Sequence, residues 1–196
     1  MRMPLDTRSD LSDEALLVAF AGGDRAAARI LTLRLTPRVL AHATRLLGSR
    51  AEAEEVAQEA MLRLWRQAPR WRPGEARVTT WLYRVVANLC IDRQRGARGG
   101  TVPLDAEAEP RDPGPGAPER LQQRARAEAL QAALARLPAR QRQAVVLRHI
   151  EGLANPEIAG IMEITVEAVE SLTARGRRAL ATALAARKEE LGYVDE

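Results

Sequence analysis

Apolar residues recur at spacings of three and four along most of this chain, and one stretch breaks the pattern. Leu16, Leu17 and Phe20 are followed by Ile30, Leu31, Leu33, Leu35, Val39 and Leu40, then by Leu46 and Leu47. That spacing gathers side chains on one face of a helix, whereas alternation of the kind that builds strands is nearly absent. Between residues 96 and 119 the sequence GARGGTVPLDAEAEPRDPGPGAPE has no helical period and is rich in Gly and Pro, so it reads as a flexible linker. Its part from Thr101 to Glu119 holds five acids against one arginine and is locally negative. Helical periodicity returns near Leu121 and runs, with breaks at Pro138 and Gly152, to about Lys188. The expected fold is all-α: a helical domain over residues 1–96, a flexible acidic linker over 97–119, and a smaller helical domain over 120–196.

Local signals place several helix ends. Ser12 precedes Asp13 and Glu14, so a hydroxyl can cap a helix whose positive end also suits the acids. AGGDRAAA (21–28) reads as a turn between helices. In LLGSRAEAEEV, Gly48 closes one helix and the next opens near Ser49, running to about Arg66. Pro69 and the RPGE stretch (72–75) then force a loop, and a further helix begins near Thr79.

Several classes of function are excluded by what the chain lacks. Cys90 is the only cysteine, which rules out an intramolecular disulfide and fits a reducing compartment. His42 and His149 lie far apart with no cysteine ligand nearby, so no metal site is expected. There is no phosphate-binding loop, no nucleophile–base pair at useful spacing and no carboxylate cluster in a metal-ligand context. No enzymatic chemistry and no cofactor are expected. No stretch approaches the roughly 20 apolar residues of a membrane span, and the N-terminus has no apolar signal core. The chain reads as cytoplasmic, with no membrane contact of its own. Its net charge of +4 is too small to name a partner. Lys188 is the only lysine, so nearly all of the positive charge is arginine, a bias that GC-rich coding explains without selection for Arg chemistry.

The segment LANPEIAGIMEITVEAVESLTARGRRAL (153–180) has the layout of a helix-turn-helix. Asn155 can cap, Pro156 suits the first helical position, and Ala159 is small where two helices would cross. A break at 162–164 precedes a second capping residue, Thr165, and a longer helix from Val166. Wound at about 100° per residue, Val169, Leu172, Gly176, Ala179, Leu180 and Ala183 gather on one side of that helix. Glu167, Glu170, Ser171, Ala174 and Arg178 gather on the other, flanked by Arg175 and Arg177. The first face packs; the second is available to a major groove, its arginines set for phosphates or guanines. Two features oppose easy DNA contact. Glu163 stands in the turn where glycine would more readily turn left-handed. Glu167 and Glu170 bring negative charge to the end that enters the groove; glutamate can accept from cytosine but repels phosphate.

The chain has only six aromatic residues, yet Trp65, Trp71, Trp81 and Tyr83 fall close together. Around the last two, RVTTWLYRVVANLCIDRQRG (77–96) winds into a buried stripe of Leu82, Val85, Val86, Leu89 and Cys90, with Tyr83 at its edge. Trp81, Arg84, Asn88, Asp92 and Arg95 share the opposite, exposed face. An exposed Trp beside Arg and Asn can stack on an unpaired base while its neighbours hold phosphates. A Trp capping the core beside a solvated Arg face would show the same pattern.

Four segments in order, DEALLVAFAGGDRAAARIL, RAEAEEVAQEAMLRLWR, VTTWLYRVVANLCIDRQR and LPARQRQAVVLRHIEGLANPEIAGIMEITVEAVESLTARGRRAL, together resemble the extracytoplasmic-function (ECF, group IV) sigma factors of the sigma-70 family. The resemblance covers about 12–96 and 120–186. It implies that AEAEEVAQEAMLRLW docks on the clamp coiled coil of core RNA polymerase through Glu55, Gln58, Glu59 and Leu62. It implies that the loop 67–78 captures a flipped base of the −10 element, and that Trp81, Tyr83, Arg84, Asn88 and Arg95 line the melted strand. The C-terminal domain would read the −35 element through Thr165 to Arg178. The polymerase flap, promoter DNA and an anti-sigma factor are the other implied partners. The family often carries aromatics where Ala28 and Thr32 stand, which implies a looser first core. It usually has Gly at the place of Glu163 and Lys at the place of Glu170. The function implied is a promoter-specificity subunit that recruits core polymerase and nucleates melting. A sigma-like decoy that titrates an anti-sigma factor without binding promoters is the alternative, favoured by Glu167 and Glu170 but opposed by the intact Trp81, Arg84, Asn88 and Arg95 face. An ordinary two-domain repressor would not need the AEEVAQEAMLRLW helix.

Overall fold

A computed structural model describes residues 10–97 and 117–185; most of the linker expected over 97–119 and both chain ends lie outside them. Every regular element among the described residues is helical. The chain divides into two compact units, one N-terminal and one C-terminal.

The N-terminal unit is built from α1 (Asp13–Ala21), α2 (Arg25–Leu47), α3 (Arg50–Gln67) and α4 (Val78–Ala97), with a short 3-10 turn at Ala68–Arg70. Ser12 caps α1 as its sequence suggests, its Oγ accepting from the Ala15 N–H at 3.2 Å. Asp24 does the same for α2, accepting from Ala26 at 2.9 Å. Gly48 holds φ +82° at the α2–α3 turn, a left-handed conformation that side-chain-bearing residues resist. The core is aliphatic: Leu16, Leu17, Leu31, Leu35, Leu64 and Leu82 are essentially inaccessible. His42 is buried among them and lies against the Tyr83 ring, centroids 4.6 Å apart and planes inclined at 42°. Thr32 is exposed, its hydroxyl donating to the Ala28 carbonyl at 2.9 Å, and Ala28 is only half-buried. Neither residue lines the core, so the looser packing expected from them does not follow.

The C-terminal unit comprises α5 (Ala117–Ala135), α6 (Ala139–Val145), a π-helical turn at Val146–Ile150, α7 (Asn155–Met162) and α8 (Val166–Ala185). Arg142 ties the end of α5 to α6 by donating to the carbonyls of Ala135 and Leu137. α8 packs on α5, α6 and α7. It comes close to α6 at Gly176, where an added β-carbon would lie 2.5 Å from Val145 Cγ2 and 3.3 Å from the Gln141 carbonyl oxygen. Glu163 ends α7 at φ 54°, ψ 49°, and is the only non-glycine residue with positive φ among the described residues. The turn thus adopts the left-handed form that made glutamate unexpected there. No helix among the described residues is long and apolar enough to cross a membrane.

Candidate nucleic-acid interface

α4 starts where a neighbouring helix holds it. The Val78 N–H donates to Glu14 Oε1 of α1 at 3.0 Å, which satisfies one of the orphan donors at the α4 N-terminus. Burial raises the Glu14 pKa. The hydrogen bonds from Val78, from its own backbone N–H and from the Ser12 hydroxyl, together with the Arg77 charge, outweigh burial and hold it below 4.5. From this anchored start α4 turns Leu82, Val86, Ala87 and Cys90 inward, with Val85 and Leu89 half-buried. Arg84, Asn88, Asp92 and Arg95 are exposed on the other face. Trp81 is half-buried at the top of that face.

Tyr83 does not belong to the exposed set. It is 4% accessible and lies against His42, so it is a core residue rather than part of a strand-lining surface. Trp71, which the helical pattern of α4 could not include, takes a place beside Trp81 instead. Their rings meet edge to face at 6.2 Å and 87°. The Trp71 indole N–H is buried and makes no hydrogen bond among the described residues. A donor left so is costly unless something supplies an acceptor. In the sequence Trp71 was marked by its nearness to Trp81 and by its place in the loop 67–78.

α3 carries a second surface. Gln58 and Leu62 line an apolar cleft of about 330 Å³ together with Leu40 of α2 and Ala57, Met61 and Trp65 of α3. Leu62 is 41% exposed there. The structure separates the other two residues of the expected docking set from this cleft. Glu55 pairs with Arg93 of α4 at 2.6 Å, tying two helices together. Glu59 accepts from Arg63 at 2.8 Å, and that bond is the chief reason its pKa lies below the usual value.

At the C-terminal surface, Thr165 caps α8, its Oγ1 accepting from the Ala168 N–H at 3.3 Å. Glu167 turns back on the same cap: its own backbone N–H and then the Thr165 hydroxyl lower its pKa. Glu170, Ser171, Ala174, Arg175, Arg177 and Arg178 are all exposed. Arg175 Nε donates to the Ser171 carbonyl of its own helix at 3.2 Å. Asn155 is not the cap of α7. The residue before the helix is Ala154, whose N–H donates to Glu157 at 3.1 Å, and Asn155 Nδ2 instead donates to Glu170 Oε1 at 3.3 Å.

Two family models match the chain: Sigma-70 region 2 over residues 31–99, and Sigma-70, region 4 over residues 127–180. The ECF RNA polymerase sigma factor SigM of Mycobacterium tuberculosis (strain ATCC 25618 / H37Rv) is 38% identical over 179 residues, covering 90% of this chain and 87% of the relative. The chain belongs to the ECF sigma factors of the sigma-70 family. The ECF RNA polymerase sigma-E factor of Escherichia coli (strain K12) is also similar to it, 32% identical over 183 residues, covering 87% and 93%. Among solved structures, CnrH in complex with the cytosolic domain of CnrY aligns at TM-score 0.64 and 26% identity, covering 89% of this sigma factor and 97% of that chain. The sigma factor RpoE of Bartonella quintana, in complex with the anti-sigma factor NepR, aligns at TM-score 0.63 and 21% identity over 79% and 94%, a likeness of fold.

The region 2 match spans most of α2, all of α3 and α4, hence the apolar cleft, the Trp71–Trp81 pair and the α4 face. The region 4 match spans the later part of α5 through most of α8, hence the helix-turn-helix. In this sigma factor the sequence-derived surfaces therefore fall inside the matched regions, with Tyr83 buried, Glu55 and Glu59 set apart from the cleft, and Trp71 of the loop 67–78 set beside Trp81.

Proposed function

We propose that this ECF sigma factor, of the group IV type, binds core RNA polymerase in the cytoplasm, directs it to promoters and nucleates strand opening, with no chemistry of its own. The reading assigns the α2–α3 cleft, through Gln58 and Leu62, to the polymerase clamp coiled coil. It assigns Trp71, Trp81, Arg84, Asn88 and Arg95 to the unpaired −10 strand, where aromatic rings stack on bases and arginines hold phosphates. It assigns the exposed face of α8 to duplex DNA of the −35 element, and the C-terminal unit also to the polymerase flap. The observation that carries it is a half-buried tryptophan pair with an unused indole N–H, set at the head of a basic helix face. A core cap alone needs neither the pair nor the spare donor.

The decoy alternative drew its support from Glu167 and Glu170. Both carboxylates have intramolecular work, one in the α8 cap and one with Asn155, so their presence does not argue for lost DNA binding. CnrH is found with the cytosolic domain of another protein, and an anti-sigma factor is the corresponding partner proposed here. The test is a core-polymerase titration with the double variant Gln58→Ala, Leu62→Ala. Both side chains are exposed, so thermal stability should change by less than about 0.5 kcal/mol. Core affinity should fall at least tenfold, and run-off transcription with it. Unchanged affinity would remove the cleft from the polymerase interface.

A further inference from the structure

The leading end of α8 holds two carboxylates in a helix assigned to DNA, and the structure treats them differently. Glu167 is folded into the cap with Thr165. Glu170, one turn further on, is exposed and stands against Asn155, whose Nδ2 donates to Oε1 at 3.3 Å. The amide orientation follows from chemistry, because a carboxylate only accepts and so must face the NH2 group. Asn155 can make this contact because Ala154, not Asn155, stands at the N-cap position of α7, leaving the Asn155 amide without a capping task. Around the pair lies a depression of about 200 Å³ bordered also by Arg148, His149, Thr173 and Arg177. Arg148 is fixed there by donating to the Leu153 carbonyl at 2.9 Å. The guanidinium groups of Arg148 and Arg177 lessen the repulsion a carboxylate would meet from phosphates.

We propose that Glu170, held in place by Asn155, reads a cytosine in the duplex element beneath α8 and rejects guanine and thymine at that position. Glu170 Oε2 makes no hydrogen bond among the described residues, so it remains an acceptor directed by the Asn155 contact to Oε1. In the major groove only cytosine N4 and adenine N6 offer donors. Adenine places the N7 acceptor beside N6, which suits an amide and repels a carboxylate; guanine and thymine present acceptors alone. Cytosine is the base left. Asn155 is a positioning residue: it touches no base and fixes the carboxylate that does. The inference rests on the assignment of α8 to duplex DNA.

The test uses the full chain bound to core polymerase and a duplex pool in which the upstream promoter element is randomised. Bound duplexes are sequenced for the wild type, Glu170→Gln and Asn155→Ala. The wild type should enrich cytosine at one position, by roughly 10- to 100-fold over guanine or thymine. Glu170→Gln should turn that single position toward adenine and leave the others as they were. Asn155→Ala should weaken the cytosine preference several-fold at the same position only, a change that a purely structural role in α7 would not produce. If enrichment occurs but Glu170→Gln alters no single position, the proposal is wrong while the assignment of α8 stands. If Asn155→Ala lowers binding equally for every sequence, its positioning role is wrong. If the wild type enriches nothing in the duplex, the assignment of α8 falls and this proposal with it.

Discussion

α4 and α8 both present arginines to solvent, and they are held by opposite means. α8 carries its own start: Thr165 caps it from the adjacent residue, and Glu167 reinforces the same cap. Its body packs on α5, α6 and α7, with a close approach to α6 at Gly176. α4 has no such local device at its first residue. Its start is fixed by Glu14, far away in sequence, and its side is tied to α3 by the Glu55–Arg93 pair. A duplex-reading helix needs only a rigid rod in the right groove. Under the assignment proposed for α4, Trp71 of the preceding loop would have to stay in register with Trp81, so this helix depends on its neighbours.

The largest effect should come from disturbing the seat of α8. Glycine inside a helix costs about 1 kcal/mol relative to alanine, so Gly176 stays only because nothing larger fits. Gly176→Val forces a branched side chain against Val145 and the Gln141 carbonyl, with an expected loss of about 3 kcal/mol. Gly176→Ala should lose less, since better helix propensity offsets part of the clash. Hydrogen exchange should show the loss in α5 to α8, with α1 to α4 unchanged. Equal loss in both units would mean that they do not unfold separately and that the contrast drawn between the two helices is not one of independent seats.

Next in size is the division of labour between the two faces. Trp81→Ala removes a stacking platform worth roughly 1–3 kcal/mol per base and should impair open-complex formation on duplex promoters. Supplying the −10 region already melted should restore part of the activity, and Trp81→Phe should retain part of it on duplex. Arg178→Ala should lower affinity whether or not that region is melted. Permanganate footprinting on matched and bubble templates separates the cases. Rescue of neither variant, or of both equally, would show that the two faces do not act on different forms of DNA.

The same contrast explains what could be read in advance. The α8 start, the turn at Glu163 and the α1 cap depend on residues within three or four positions, so propensity and capping rules located them. Asn155 shows the limit of those rules: as a residue type it favours caps, but α7 takes Ala154 as its N-cap and leaves the Asn155 amide for Glu170. Tyr83 lay at the edge of a helical stripe on α4, and its burial, with His42 of α2 against its ring, depends on a neighbouring helix. Glu55 and Gln58 sit on one helix at neighbouring turns. Arg93 on α4 draws the first into a structural pair, while the second opens on the cleft. Trp71 belongs to a loop, where periodicity says nothing. For Tyr83, Glu55 and Trp71 the deciding partner lies on another element, beyond the reach of spacing along one helix, whereas the Glu59–Arg63 pair lies within α3.

The smallest expected effect tests whether α4 depends on α1 as strongly as its geometry implies. Burial works against ionisation of Glu14, but the bonds from Val78, its own N–H and Ser12, with the Arg77 charge, bring its folded pKa below the usual 4.5. A carboxyl whose pKa falls on folding adds stability that is fully present above its unfolded value. That stability is lost as pH drops through the folded value. The N-terminal unit should therefore weaken as pH falls below 4.5, with the exchange protection of the Val78 amide falling alongside. Glu14→Gln keeps an acceptor for Val78 but no charge, so it should flatten this acid limb and lower neutral-pH stability by about as much as the wild type loses on acidification through Glu14. Glu14→Ala removes acceptor and charge together and should cost about 1 kcal/mol at neutral pH, the usual loss of a helix N-terminal cap. Such a loss would also loosen the start of α4 and with it the Trp71–Trp81 register, so strand opening should fall more than duplex binding. An Ala variant with wild-type protection at Val78 would show that α4 sets its own start, as α8 does.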